Sequence, residues 1–149
     1  MTNGSKPPSL LDRERDLVGR LTALRDPQAR FAWAVEQARL RSPLPDALRL
    51  ESHRVQGCLV RLWLVPEFRD GRCWFQTDSD AATLRAFSGI LCDLASGLPP
   101  EDLVDWRPEF LDRLGLLRQL ADNRRATIGR VIDLIRGFAT AQPPAGDAS

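Results

Sequence analysis

The sequence predicts an α+β fold, a small curved antiparallel β-sheet packed by α-helices, and three observations predict it. Apolar residues recur at three- and four-residue steps on both sides of the middle of the chain. Between those stretches, residues 58–77 switch to a period of two around an Asp-Gly turn signal. Proline and glycine clusters sit where one period gives way to the next.

The first helix carries Leu10, Leu11, Leu17, Val18, Leu21 and Leu24 behind Ser9 as its N-cap, and Asp26-Pro27 stops it. A second helix from Pro27 places Phe31, Ala34, Val35 and Ala38 on one stripe and ends before the extended connector Ser42-Pro43-Leu44-Pro45. Residues 48–54 either add a strand or bring the chain to Gly57. From Cys58 the alternation sets Cys58, Val60, Leu62 and Leu64 on one face of a strand and Leu59, Arg61, Trp63 and Val65 on the other. Asp70-Gly71 lies in a hairpin loop somewhat longer than two residues, and the return strand runs from Arg72 to Thr77. Asp78-Ser79-Asp80 supplies side chains to cap a third helix bearing Leu84, Phe87, Leu91 and Leu94, with Gly97 as its left-handed terminator. A turn near Pro100 and a segment at 108–114 precede a last helix, which starts at Asp122 or Asn123 and turns Ile128, Val131, Ile132, Ile135 and Phe138 inward. The ordered body therefore spans 9–139, between flexible tails at 1–8 and 140–149.

Length and composition fit one soluble domain: 149 residues, 43% hydrophobic and 28% charged. Because 21 basic residues face 20 acidic ones, the overall field gives no reason to expect a nucleic acid or an anionic membrane as partner. Lys6 is the single lysine, an arginine bias we assign to genome base composition. No apolar run is long enough for a membrane span, and no signal segment opens the chain, so a cytoplasmic location is expected.

Three cysteines at 58, 73 and 92 cannot all pair, and no C-x-x-C occurs, which fits free thiols in a reducing compartment and no metal. Cys73 and Cys92 occupy core slots in regular elements. Cys58 follows Gly57, and this pair is either a tight turn before a buried small residue or a movable thiol; composition alone favours the first. His53, five residues earlier, is a weak candidate for a base, and Ser88 lies in a helix rather than on a nucleophile elbow. Asp78 and Asp80 suit an acid-base pair less well than a helix cap.

"ESHRVQGCLVRLWLV" followed by "DGRCWFQTDSDAATLRAFSGILCDLASGLPPEDLV" resembles the SufE family of sulfur acceptor proteins. The resemblance covers residues 27–136 and rests on Arg54, Val55, Gly57, Cys58, Trp63, Asp70, Gly71, Ser79, Asp80, Ala81, Ser96, Gly97, Pro100 and Glu101. It implies the SufE/IscU-like α+β fold. It also implies a carrier that takes persulfide sulfur from a pyridoxal-phosphate cysteine desulfurase (SufS/CsdA-like) and delivers it to an iron-sulfur scaffold complex. The carrier would stimulate the desulfurase and need no cofactor of its own. In that reading Cys58 carries the sulfur, Gly57 is its hinge, and Arg124, aligned with the family's arginine, is an electrostatic helper. The sequence departs from the family at Leu59-Val60, where a Gln-Ser pair is usual, and at Arg124-Arg125-Ala126-Thr127-Ile128, where the R-x-x-G-L glycine is missing. The Leu59-Val60 change keeps two alternatives open: a desulfurase-docking module that relays no sulfur, and a redox-sensing thiol.

Overall fold

A computed structural model describes residues 8–143, so residues 1–7 and 144–149 of the expected tails lie outside the described residues. Helix α1 (Leu10–Thr22) begins in a reciprocal cap: the Ser9 hydroxyl accepts the Asp12 N–H at 3.1 Å, and the Asp12 carboxylate accepts the Ser9 N–H at 3.3 Å. Helix α2 (Pro27–Leu40) starts at once after Asp26, whose carboxylate takes the Gln28 N–H at 3.1 Å. Strands β1 (Leu62–Arg69) and β2 (Arg72–Ser79) form one antiparallel hairpin, in register from Leu62 opposite Ser79 to Arg69 opposite Arg72. Helices α3 (Ala82–Ala95), α4 (Phe110–Arg113) and α5 (Asp122–Thr140) complete the architecture.

Helix α3 lies at the centre, packed against β2, α2, α5 and α1. Its Leu84, Phe87 and Leu91 are buried, as are Ile128, Val131 and Ile135 of α5 and Leu62 and Leu64 of β1. Trp63 and Val65, on the opposite face of β1, are buried too, in a smaller cluster with Leu44 of the proline connector. The first residues of β1 are thus covered on both faces, which the alternating pattern does not reveal.

Two expectations change, and one open alternative is decided. Strand β1 starts at Leu62 rather than Cys58, because its partner strand ends at Ser79 opposite Leu62; an apolar alternation without a pairing edge does not make a strand. The hairpin loop has only two residues, Asp70 (φ 56°) and Gly71 (φ 75°), both in the left-handed region that a tight I′ turn demands. Residues 46–54 form two short 3-10 turns, Asp46–Leu48 and Glu51–His53, and then a single bridge from Arg54 to Trp63, so the 48–54 segment delivers the chain to Gly57 rather than adding a strand.

The Asp78-Ser79-Asp80 run is also not a helix cap: α3 begins behind Ala81 with no side-chain cap. Asp78 ends β2 with its carboxylate buried, accepting the Leu44 N–H at 2.9 Å and a guanidinium N–H of Arg49 at 2.7 Å, with Arg85 of α3 at 3.4 Å. One carboxylate therefore joins the connector, the sheet and α3. Asp80 instead pairs with Arg61 at 2.7 Å, and the Ser79 hydroxyl donates to the Arg61 carbonyl at 2.7 Å.

The arginine bias also has structural use. Arg13 of α1 donates to the carbonyls of Leu94 and Ser96 at 3.0 and 2.6 Å, where α3 ends. Arg30 of α2 donates to those of Leu21 and Leu24 at 3.0 and 2.7 Å, where α1 ends, and Arg85 donates to the Arg41 carbonyl at 2.8 Å, where α2 ends. Guanidinium groups thus satisfy carbonyls that a helix leaves open at its C-terminus.

Removing the Asp78 carboxylate takes the buried counter-charge from Arg49 and Arg85 and the acceptor from the Leu44 N–H, so Asp78→Ala is expected to lower unfolding free energy by about 3 kcal/mol. Asp78→Asn, which keeps one acceptor oxygen, is expected to lose less. Urea denaturation followed by circular dichroism measures both.

Candidate functional site

The chain is pinned on both sides of Cys58. Val55, itself buried, donates its N–H to the Leu62 carbonyl at 2.8 Å, and Arg54 bridges to Trp63, so residues 56–61 form a turn projecting from the start of β1. Gly57 sits at φ +81°, a conformation that costs an L side chain on the order of 1–2 kcal/mol, and this reverses the chain before the cysteine. Cys58 and Val60 are half-buried against the main core, whereas Leu59 between them is 85% exposed. The turn therefore offers a thiol at the edge of an apolar interior and one leucine fully presented to solvent.

The Cys58 Sγ lies 3.9 Å from the Gln56 carbonyl, a contact within the turn. The Gly57 carbonyl accepts a hydrogen bond from Arg130 of α5 at 3.0 Å. A Cβ on Gly57 would stand 3.2 Å from the Arg130 guanidinium carbon, so the glycine is needed by both its backbone angle and the plane lying over it. Beside this contact opens a cleft of about 490 Å³ between the 3-10 turn at Glu51–His53 and the outer side of α5, with Val55, Gln56, Arg130 and Leu134 on its walls.

The other candidates have partners of their own. The guanidinium of Arg124 donates to the Thr83 hydroxyl at 2.7 Å, tying the first turn of α5 to the first turn of α3. Arg130, six residues further along α5 or about 9 Å of helix rise, is the arginine that touches the cysteine turn. Only the tertiary fold brings it there, across 73 residues of sequence, so no local pattern marks it. His53 hydrogen-bonds the Leu48 carbonyl through Nδ1 at 3.1 Å, which engages one ring nitrogen. Among the described residues, no three His, Cys, Asp or Glu side chains converge as a metal site.

Cys73 and Cys92 are both buried. Burial pushes the Cys73 thiol from an ordinary 9.0 up to about 11, helped by the negative charge of Glu101, and it pushes Cys92 up further still. At neutral pH both remain protonated and inert, which leaves Cys58 as the accessible sulfur.

The family model for SufE, described as an Fe-S metabolism associated domain, matches residues 15–139. The chain belongs to the SufE family. Its place is therefore in Fe-S metabolism. An uncharacterized SufE-like protein of Synechocystis sp. is 27% identical over 124 residues, covering 83% of this chain and 76% of that protein. SufE-like protein 2, chloroplastic, of Arabidopsis thaliana is 31% identical over 108 residues, 70% of this chain but only 41% of that protein, so the SufE chain spans less than half of this plant relative. The fold recurs in the solution structure of a hypothetical protein from Thermus thermophilus, with a TM-score of 0.68 and 20% identity over 86% of this chain and 93% of that one. Among the described residues, no helix is long and apolar enough to cross a membrane.

Two outcomes are expected from these contacts. Gly57→Ala forces a side chain into the left-handed region and against Arg130, lowering stability by about 1–2 kcal/mol. Gly129→Ala, on α5 with nothing within 4 Å of the new methyl, is expected to raise it by about 0.5–1 kcal/mol; urea titration of both variants checks the contrast. The second outcome concerns alkali. A thiol whose folded pKa lies above its unfolded one favours the folded state fully below the unfolded value, and that contribution drains away as pH rises from about 9 towards 11. The chain has no tyrosine and a single lysine, so few other groups titrate in this window. Stability is expected to fall by about 1.4 kcal/mol per pH unit for each buried thiol. Urea midpoints at intervals across the window measure the slope, and Cys73→Ala should reduce it.

Proposed function

We propose that this SufE-family protein is a cytoplasmic sulfur carrier, with Cys58 accepting the terminal sulfur of a persulfide held by a cysteine desulfurase and passing it to an iron-sulfur cluster scaffold. The observation that carries the reading is the position of Cys58: half-buried against apolar side chains, on a turn made by a left-handed glycine, while both other thiols are buried.

The transfer is a thiol-disulfide type of exchange. Cys58 loses its proton to solvent, and the thiolate attacks the outer sulfur of the donor's Cys–S–SH. A bond forms between the Cys58 Sγ and that sulfur while the donor's S–S bond breaks, and the donor cysteine leaves as a thiolate that takes up a proton. The products are a Cys58 persulfide and a free donor thiol, with no net oxidation and no cofactor on this chain. Pyridoxal phosphate belongs to the desulfurase, whose turnover rises as its product sulfur is removed.

Each part of the turn has a task in this scheme. Gly57 permits the backbone change that moves the sulfur between its resting contact with the core and the donor. The apolar side chains that Cys58 and Val60 rest on keep water and small reductants from one side of the cargo. Leu59 supplies the partner with an exposed apolar contact beside the reacting atom, where the family usually has a polar residue. Arg124, bonded to Thr83, supports the start of α5 in this scheme.

The same exposed Leu59 favours a second reading, in which the turn docks to a desulfurase without accepting sulfur. One assay separates the two. The protein is incubated with a cysteine desulfurase, free cysteine and pyridoxal phosphate, and its peptides are weighed. A gain of about 32 Da, one sulfur atom, is expected on the Cys58 peptide. The gain should vanish in Cys58→Ser and in the mixture lacking desulfurase. Binding to the desulfurase with no mass gain on any cysteine would leave the docking reading in place, and oxidation that ignores the desulfurase would point to a redox sensor.

A further inference from the structure

We propose that Arg130 is a latch on the cysteine turn, setting how far the Cys58 thiol is withdrawn. The purpose of the latch rests on the carrier reading; its geometry does not. Residues 57–60 make no backbone hydrogen bond to a strand or helix among the described residues, and the Sγ contact to Gln56 is internal to the turn. The bond from Arg130 to the Gly57 carbonyl at 3.0 Å is the one hydrogen bond that ties this segment to another element among the described residues.

Its two ends differ in rigidity. Helix α5 is fixed by Val131 and Ile135, both fully buried, so the base of the Arg130 side chain does not move with the turn. Gly57, by contrast, is exposed and conformationally permissive. The guanidinium also covers the glycine, with its carbon 3.2 Å from where a Cβ would stand, so the turn meets both a bond and a wall.

Arg130 is free for this role. The carboxylates nearest in the same cleft are already engaged, Glu51 by Arg54 and Asp133 by Arg136, each at 3.5 Å. Among the described residues Arg130 forms no ion pair, and its hydrogen bond goes to a neutral carbonyl in a solvent-exposed place. Such a bond shifts an equilibrium by a modest factor, roughly three- to ten-fold, and so restrains the turn while leaving it able to open. Arg130 is thus a positioning residue, acting on Cys58 through Gly57.

The test reads access to the sulfur without a desulfurase. Cys58, Cys73 and Cys92 are alkylated with iodoacetamide in the folded protein, and each peptide is followed by mass spectrometry across a pH series. The plateau rate at full ionisation reports access, and the midpoint reports the thiol's own titration. Arg130→Met is expected to raise the Cys58 plateau about three- to ten-fold with Cys73 and Cys92 still protected. Arg130→Lys, which keeps a donor, is expected to stay within about two-fold of the unchanged protein. An unchanged plateau in Arg130→Met overturns the latch, and so does a gain shared by all three thiols, which would mean that the whole fold had loosened. Sulfur loading by a desulfurase is measured in parallel: faster alkylation with no sulfur on Cys58 in either protein keeps the latch and removes the carrier reading.

Discussion

The buried carboxylate of Asp78 is the joint on which the molecule is assembled. It takes a backbone N–H from the proline connector and guanidinium groups from Arg49 and Arg85, so three segments meet on two oxygen atoms. That junction seats Leu44 against Trp63 and Val65 and covers the second face of β1. With both faces of Leu62–Val65 buried, the position at which β1 begins is fixed, and with it the exit of the turn that bears Cys58. A charge buried at such a junction favours one arrangement strongly, because any displacement strands it away from its partners.

The site combines this fixed frame with a weakly held insert. Val55 and Leu62 are locked to each other and to the core, while residues 56–60 between them have few bonds of their own. Any opening is thereby confined to the turn that bears Cys58, and the interior can remain tightly packed. The contrast among the three sulfurs follows from the same division. Cys73 and Cys92 belong to the frame and are held protonated by burial; Cys58 belongs to the insert.

Much of the fold was legible in the sequence because it is written in short-range periodicity. Ser9, Asp26-Pro27 and Gly97 mark helix boundaries through bonds to near neighbours or through backbone angles, and the structure places each of them at such a boundary. Local pattern misleads where a distant partner decides the outcome. The start of β1 depends on where β2 stops, the use of Asp78 depends on arginines 29 residues before it and on the next helix, and the second apolar face of β1 depends on Leu44. The cysteine turn was legible from Gly57-Cys58 and from the family's pattern. Arg130 was not, since a solvent-facing arginine on a helix carries no local mark of what lies opposite it. Arg124 stands where the family's arginine aligns, and its guanidinium is bonded to Thr83, a partner that the alignment does not reveal.

The arginines that bind carbonyl oxygens differ in one respect from those paired with carboxylates. Neither a guanidinium nor a peptide carbonyl gains or loses a proton over the range in which cells live. The ties from Arg13, Arg30 and Arg85 to helix ends, and from Arg130 to Gly57, are therefore indifferent to acidification. A change in the surrounding pH therefore leaves these moorings untouched, so the posture of the cysteine turn is set by contacts that carry no acid-base switch of their own.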